Sequence, residues 1–280
     1  MKHLFNQSIV EFSFGLGNQL FQFVFMLYLR EKQGKSVKFD TSFYKAHRAH
    51  EGFQANLVFD FSDFKESKIN HDFLHKVCRK MKLRKLANRL WGNEDNFSHG
   101  FNYPFYNGYW QNASYYNEIK EILKQYELDL TPYADKTFLD RVTAQKSLFM
   151  HIRRGDYLSN DNYVDLCSTD YYKKAIELAK ERFDAVNVFV FSDDVEWCRE
   201  YFSEYENFNF VEYENQTAIS DLALMSCCDC GIIANSTFSW WGAMLNKDKL
   251  VIRPGKYYND TPWASNFDNL FPSSWITIDV

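Results

Sequence analysis

Between Ser147 and Arg253 short apolar runs alternate with stretches whose apolar positions recur every three or four residues. Ser147–Ile152 is a short apolar run suited to a buried strand. Asp170–Arg182 follows with Tyr172, Ile176 and Ala179 at helical spacing, and Ser168 to Asp170 supply caps. The pattern then predicts strands at Val186–Phe191, Phe208–Glu212, Gly231–Ala234 and Leu250–Arg253. It predicts helices at Asp194–Phe202, at Ser220–Cys227 with Ser220 as cap, and at Thr237–Leu245. Alternation at this spacing argues for a parallel sheet covered on both faces.

The N-terminal half opens the same way, with a strand at Ser8–Phe12, a turn at Gly15–Gly17 and a helix at Gln19–Lys32 that places Leu20, Val24 and Leu27 on one face. A second strand covers Val37–Phe39. The stretch from Ser42 to Asn107 is less regular and holds a helix around His75–Leu90. Phe105–Trp110 reads as a strand and Ser114–Gln125 as a helix. The boundary between the halves falls in Thr131–Thr143, after Pro132, so the chain divides into residues 1–135 and 136–280. The expected class is α/β, with two Rossmann-like halves, each built on a parallel sheet, facing one another across a cleft.

Composition adds three constraints. Aromatic residues make up 19% of the chain, with 27 Phe and 18 Tyr, which calls first for an aromatic core and second for flat walls that suit sugar rings. The net charge of −5 excludes a surface that attracts nucleic acid as a whole. No apolar run reaches the ~18–20 residues of a membrane span, and the N-terminus lacks a signal-peptide pattern, so a cytoplasmic protein with reduced thiols is expected. Cys227, Cys228 and Cys230 lack a histidine at metal-finger spacing and read as buried thiols in an apolar stretch. The segment Lys76–Arg89 carries seven basic residues and no acidic one. A solvated helix accounts for such a run as a rule; an anionic membrane surface is the partner it would fit, giving peripheral contact with the inner face of the membrane.

The chemistry-bearing motifs stand at predicted strand ends, where ligands bind in open parallel sheets. The segment from His151 to Tyr157 (HIRRGDY) follows a strand directly, and its two arginines offer rigid forks that match phosphate oxygens. Adjacent residues on a strand face opposite sides, so Arg153 and Arg154 share a ligand only if the strand has already turned. Asn235, Ser236, Thr237, Phe238 and Ser239 follow another strand and open a helix, where backbone N–H groups and hydroxyls suit a phosphate; simple capping by Asn235 or Ser236 is the alternative. Asp193 and Asp194 end a third strand. Either could accept hydrogen bonds from a guanine edge, and Asp194 is equally suited to cap the next helix. No Asp-X-Asp triplet occurs, which favours arginine over a divalent cation for neutralising a leaving diphosphate. The turn Gly15-Leu16-Gly17-Asn18-Gln19 fails as a dinucleotide fingerprint because Leu20 replaces its third glycine, but it can bring Asn18 and Gln19 to a ligand.

Taken together, GLGNQLFQ, GYWQNASYY, HIRRGDY, CSTDYYKKAI, FSDDVEWC, DLALMSCCDCGIIANSTFSWWGAML and SWITI resemble, in order and over nearly the whole chain, the bacterial α-1,2-fucosyltransferases of glycosyltransferase family 11. The resemblance implies a GT-B-like fold with an N-terminal acceptor-side domain and a C-terminal GDP-sugar-binding domain. It implies inverting transfer of L-fucose from GDP-β-L-fucose to a galactose-containing acceptor, at O2 of a terminal galactose, with no cofactor and no metal, in surface polysaccharide or oligosaccharide synthesis. By residue, Arg153 corresponds to the arginine that neutralises the β-phosphate. His151 and one of Asp193 or Asp194 correspond to guanosine contacts, and Ser236 to Ser239 to the phosphate-side loop. Asn18 stands where related enzymes reach over the diphosphate. Asp156 is the first candidate for the base that takes the acceptor proton, with Asp161 second; Asp156 could instead hold Arg154 or its own loop. Phe14 departs from the family pattern, where glycine is frequent, as do Tyr257 and Tyr258, where tryptophan is. These departures lie outside the donor motifs and bear on acceptor choice.

Overall fold

The computed structural model describes residues 7–47, 51–69, 71–93, 101–183, 187–245, 249–259 and 270–280. Two compact units divide the chain, Met1–Asp129 and Leu130–Val280.

In the first unit β1 (Gln7–Glu11), α1 (Leu16–Glu31), β2 (Ser36–Asp40), α2 (Ser42–Ala46) and β3 (Lys65–Glu66) are followed by α3 (His71–Lys80), α4 (Arg84–Leu90), β4 (Trp91–Gly92), β5 (Phe105–Tyr106) and α5 (Ala113–Leu123). The strands form one sheet in the order β3-β2-β1-β5-β4, every pairing parallel. β1 is central, and the order reverses there. The sequence gives α1 one apolar face, but the helix is buried nearly all round from Leu16 to Leu29. The aromatic surplus explains this. Phe23 stacks on Phe59 with centroids 4.6 Å apart, and Phe25 stacks on Trp110 at 3.8 Å. Each such ring removes a large apolar area from water, so this core draws on aromatics rather than on a one-sided stripe.

The helix expected around His75–Leu90 is two helices. Lys82 has φ 56, a left-handed conformation that interrupts the ladder between α3 and α4. The strand expected over Phe105–Trp110 stops at Tyr106, and Trp110 also takes a positive φ of 58.

The second unit contains α6 (Lys136–Ala144), β6 (Ser147–Ile152), α7 (Tyr171–Arg182), β7 (Asn187–Ser192), α8 (Val195–Tyr201), β8 (Phe208–Phe210), α9 (Ala218–Cys227), β9 (Cys230–Ile232), α10 (Thr237–Met244), β10 (Leu250–Pro254) and β11 (Ile276–Ile278). Its sheet runs β11-β10-β9-β6-β7-β8, again wholly parallel. All six residues of β6 are buried, as a central strand covered on both faces requires. The order reverses at β6, with β9 on one side and β7 on the other, so the carboxyl end of β6 is the switch point of the sheet.

Three local differences from the sequence reading have simple causes. α6 occupies the stretch read as a boundary. Asp135 caps it by accepting from Phe138 N–H, and Phe138 and Val142 bury one face at i, i+4 spacing. α9 starts two residues earlier than expected. Thr217 is its cap, and Ser220 is the other half of a capping box, so Ser220 is not the N-cap. β11, a short strand after Pro272, pairs with β10 and extends the sheet by one. Val186, the first residue of one expected strand, lies outside the described residues. No helix among the described residues is long and apolar enough to cross a membrane. Cys228 and Cys230 are buried, and burial pushes both thiols up to about 12.

Candidate active site

The three motifs read from the second half converge on the switch point. β6 delivers His151, Arg153 and Arg154, β7 delivers Asp193 and Asp194, and β9 leads through Asn235 into α10. The convergence follows from the sheet order, since β7 and β9 are the two neighbours of β6.

The two arginines diverge. Arg153 reaches Asp156 with Nη2 2.7 Å from Oδ1 and Nε 3.0 Å from the same oxygen, and its Nη1 lies 3.2 Å from Asp193 Oδ2. Arg154 turns to Asp194, with Nε 3.0 Å from Oδ2, and lays its guanidinium over the Trp197 ring at 4.2 Å. Arg154 is thereby committed to orienting the β7 loop, while the half-buried Arg153 lies over Tyr157 at 5.6 Å. Asp156 holds Arg153, not Arg154, which corrects one of the two structural roles the sequence allows it.

The carboxylates are engaged as well. Asp193 accepts the backbone N–H of Arg154 at 2.9 Å besides pairing with Arg153. Asp194 serves two partners at once: Oδ1 caps α8 by accepting from Trp197 N–H, and Oδ2 takes Arg154. Gly155 makes room for this arrangement, because a Cβ there would lie 2.5 Å from Asp193 Oδ2.

His151 is buried at 5% exposure, with its ring 5.6 Å from that of Phe238 at the start of α10. Burial first, and the Arg153 charge second, push its imidazole down to about 3, so the ring is neutral. Among the described residues its Nδ1 has no hydrogen-bond partner.

The opening of α10 divides into scaffold and exposed parts. Ser236 caps the helix, accepting from Phe238 N–H at 3.3 Å. Asn235 donates both amide hydrogens, to Val164 O at 2.9 Å and Tyr257 O at 3.0 Å. Ser239 is fully buried and donates within its own turn, so its hydroxyl is a helix element and not a ligand group. Thr237 and Phe238 are half-buried in the first turn of α10.

An aromatic brace that the sequence reading missed holds the β6 loop. Tyr157 stacks on Tyr163 at 3.9 Å, Tyr163 meets Tyr258 at 5.1 Å, and the Tyr157 hydroxyl donates to Asn235 O at 3.2 Å. Asn259 Nδ2 donates to Asp161 O and Tyr163 O. Tyr257 therefore touches a donor-side motif, contrary to the sequence reading, and Tyr258 reaches Tyr157 through Tyr163; the position of Tyr157 inside HIRRGDY was the available signal. Asp161 itself is exposed on this loop.

In the first unit, Asn18 Oδ1 accepts from Gln111 Nε2 at 2.7 Å. Gln19 is buried, and its carboxamide is fully used. It donates to Phe14 O and Gly52 O and accepts from the N–H groups of Gln54 and Ala55. Four bonds exhaust an amide side chain, so Gln19 braces the loop rather than contacting a ligand.

A family model described as Glycosyl transferase family 11 matches residues 9–279. The chain is 34% identical to an Alpha-1,2-colitosyltransferase of Escherichia coli, over 95% of this chain and 96% of that protein. It is 29% identical to the O-antigen biosynthesis glycosyltransferase WbnK of Escherichia coli, over 94% and 98% respectively. Among solved structures, fucosyltransferase NodZ from Bradyrhizobium superposes with a TM-score of 0.54 at 12% identity, over 86% of this chain and 92% of that one. POFUT1 in complex with GDP gives a TM-score of 0.52 at 15% identity, over 88% and 97%. At these identities the likeness is one of fold, and with the two parallel sheets it makes the architecture GT-B-like.

Proposed function

Because the chain belongs to glycosyltransferase family 11, we propose that it transfers L-fucose from GDP-β-L-fucose to a hydroxyl of a glycan acceptor, with inversion and without a metal ion. One observation carries this reading. At the carboxyl end of the central strand, Arg153 presents a half-exposed guanidinium on a loop that the Tyr157–Asn235 hydrogen bond ties to the segment opening α10. A diphosphate bridging them would meet a planar fork and a helix N-terminus. Asp193 and Asp194, the carboxylates that could have gathered a cation, are each paired with an arginine, which favours the metal-free reading.

In the proposed step the acceptor oxygen attacks the anomeric carbon as the bond from that carbon to the diphosphate oxygen breaks. GDP leaves with the electron pair, and the acceptor proton passes to the Asp156 carboxylate. Arg153 and the α10 N-terminus meet the charge that develops on the diphosphate, in a geometry already in place before reaction. Arg154 fixes Asp194 and the β7 loop that would receive the guanine.

A second donor is favoured by a specific finding, the identity to a colitosyltransferase. Colitose is the 3-deoxy counterpart of fucose, so the two donors share the GDP group and differ at one hydroxyl. The acceptor of the first reading is O2 of a terminal galactose. Incubating the protein with GDP-fucose, GDP-colitose, GDP-mannose or UDP-galactose and a panel of galactose-terminated acceptors in EDTA tests the proposal, with the product linkage read by NMR. An α-1,2-linked fucose supports the first donor and an α-1,2-linked colitose the second; transfer only from the UDP sugar, or only with added cation, contradicts both.

We also propose that the basic segment rests on an anionic membrane surface. From Phe73 to Asn93 the chain carries seven basic residues and no acidic one, so the remainder holds 25 basic and 37 acidic residues (32 − 7 = 25). Phe73, Lys76 and Lys80 follow at i, i+3 and i+7 on one side of α3, away from buried Cys78. Phe73, Met81, Leu83 and Leu86 are exposed among exposed Lys80, Lys82, Lys85 and Arg89, the mixture an interfacial segment uses.

A further inference from the structure

We infer that Phe14, Phe43 and Tyr109 form a wall in the first unit against which one face of an acceptor pyranose lies. This rests on the transferase reading and names the residues that would recognise the acceptor.

The starting observation is an outlier. Phe14 has φ 64, a left-handed conformation that bulky L-residues avoid, and the residue remains 36% exposed. Two donors fix it there. Gln19 Nε2 at 3.1 Å and the Tyr44 hydroxyl at 2.7 Å both donate to Phe14 O, and Gln19 is anchored by its three other bonds. Backbone strain held this firmly at a side chain still partly in solvent is of the kind that clusters at ligand sites.

The held ring completes a surface. Phe14 lies 5.0 Å from Tyr109, with planes 35° apart, and 5.1 Å from Phe43, with planes 45° apart. Phe43 continues to His47 at 4.7 Å. Tyr109 is 42% exposed and Phe43 half-buried, so the cluster presents adjoining aromatic surface to solvent. Mutual shielding of three surface rings would need neither the left-handed backbone nor the double anchor on its carbonyl.

Position supports the same assignment. Phe14 follows β1, Phe43 follows β2 in the short helix α2, and Tyr109 follows β5, so the three rings come from segments after the carboxyl ends of three adjacent parallel strands. β1 is where the strand order reverses, the place where such sheets bind ligands. The same segments carry Tyr44 and the Asn18–Gln111 pair, polar groups suited to hydroxyl groups. A partly exposed row of tilted rings edged by polar groups fits the C–H face of a pyranoside. Galactose in particular gathers C–H bonds on one face, because its O4 is axial.

Saturation-transfer NMR on the full chain with methyl β-D-galactopyranoside, alongside GDP titration, tests this. The wild-type protein is expected to transfer saturation to H3, H4 and H5 of the galactoside. Phe14→Gly, which relieves the backbone while removing the ring, should weaken the sugar about tenfold. GDP affinity should hold, and the thermal midpoint should hold or rise. Tyr109→Ala and Phe14→Leu, which keeps bulk without the ring, should show the same loss. Unchanged sugar affinity in these variants, or no galactoside binding by the wild type, overturns the wall while leaving the donor proposal standing on GDP binding. A protein that binds no GDP, yet loses the sugar with Phe14, would overturn the donor reading alone.

Discussion

Arg153 holds Asp156 in an ion pair, Nη2 to Oδ1 at 2.7 Å, so the group proposed to meet the leaving diphosphate also carries the carboxylate proposed to take the acceptor proton. Both side chains are accessible, Arg153 at 35% and Asp156 at 66%, and a pair this exposed is weak. A diphosphate can therefore displace the carboxylate at little cost. On the proposed reading, arrival of the donor frees Asp156 beside the reacting centre.

Replacing Arg153 by lysine keeps the charge and removes the fork. Transfer should fall by about 10²–10³ with circular dichroism and thermal midpoint unchanged. Steady-state kinetics on the purified variant check this, and near-normal turnover would remove Arg153 from the site.

Asp156→Asn separates the two functions of that carboxylate. As the base, its loss lowers kcat by about a hundredfold or more. The affinity for GDP should hold or tighten by at most a few-fold, because Arg153 loses only an exposed partner. Equal losses of kcat and GDP affinity would assign Asp156 to the loop's structure.

The His151 environment predicts an acid limit on stability. Its folded value is about 3 against 6.5 unfolded, so between these pH values the unfolded chain binds the extra proton. Stability is full above 6.5 and is lost as the pH falls toward 3, by on the order of a few kcal/mol. Denaturant titrations of wild type and His151→Asn across this window should show a shallower acid slope in the variant. Parallel slopes would mean that the buried imidazole does not set the limit.

Much of this site was legible because a parallel strand announces its own carboxyl end. HIRRGD, FSDD and ANSTF each follow an apolar run, and their residues meet because the three strands are neighbours. The strand ends at Ile152, so the divergence of Arg153 and Arg154 follows from their separate carboxylate partners and not from strand alternation. Partner choice was not legible. That Arg154 takes Asp194 and Trp197, or that Gln19 spends every bond on Gly52, Gln54, Ala55 and Phe14, depends on segments far apart in sequence. The break at Lys82 escaped notice because no glycine marks it, and α6 because a proline just upstream suggested a linker.

The exposed basic and apolar side chains of α3 and α4 predict binding to vesicles containing phosphatidylglycerol and weak binding to phosphatidylcholine alone. Near an anionic surface each basic residue contributes about 1 kcal/mol, and salt screens the attraction. Reversing Lys76, Lys80, Lys82 and Lys85 to glutamate should abolish co-sedimentation while GDP binding persists. Equal sedimentation with both lipids would leave α3 and α4 a solvated face.

The most direct test is a crystal structure of the GDP complex grown in EDTA. The β-phosphate should lie within hydrogen-bond distance of the Arg153 guanidinium and of backbone N–H groups opening α10, with no cation between them. A nucleotide bound away from the carboxyl end of β6, or one that enters only when magnesium is supplied, would contradict the account.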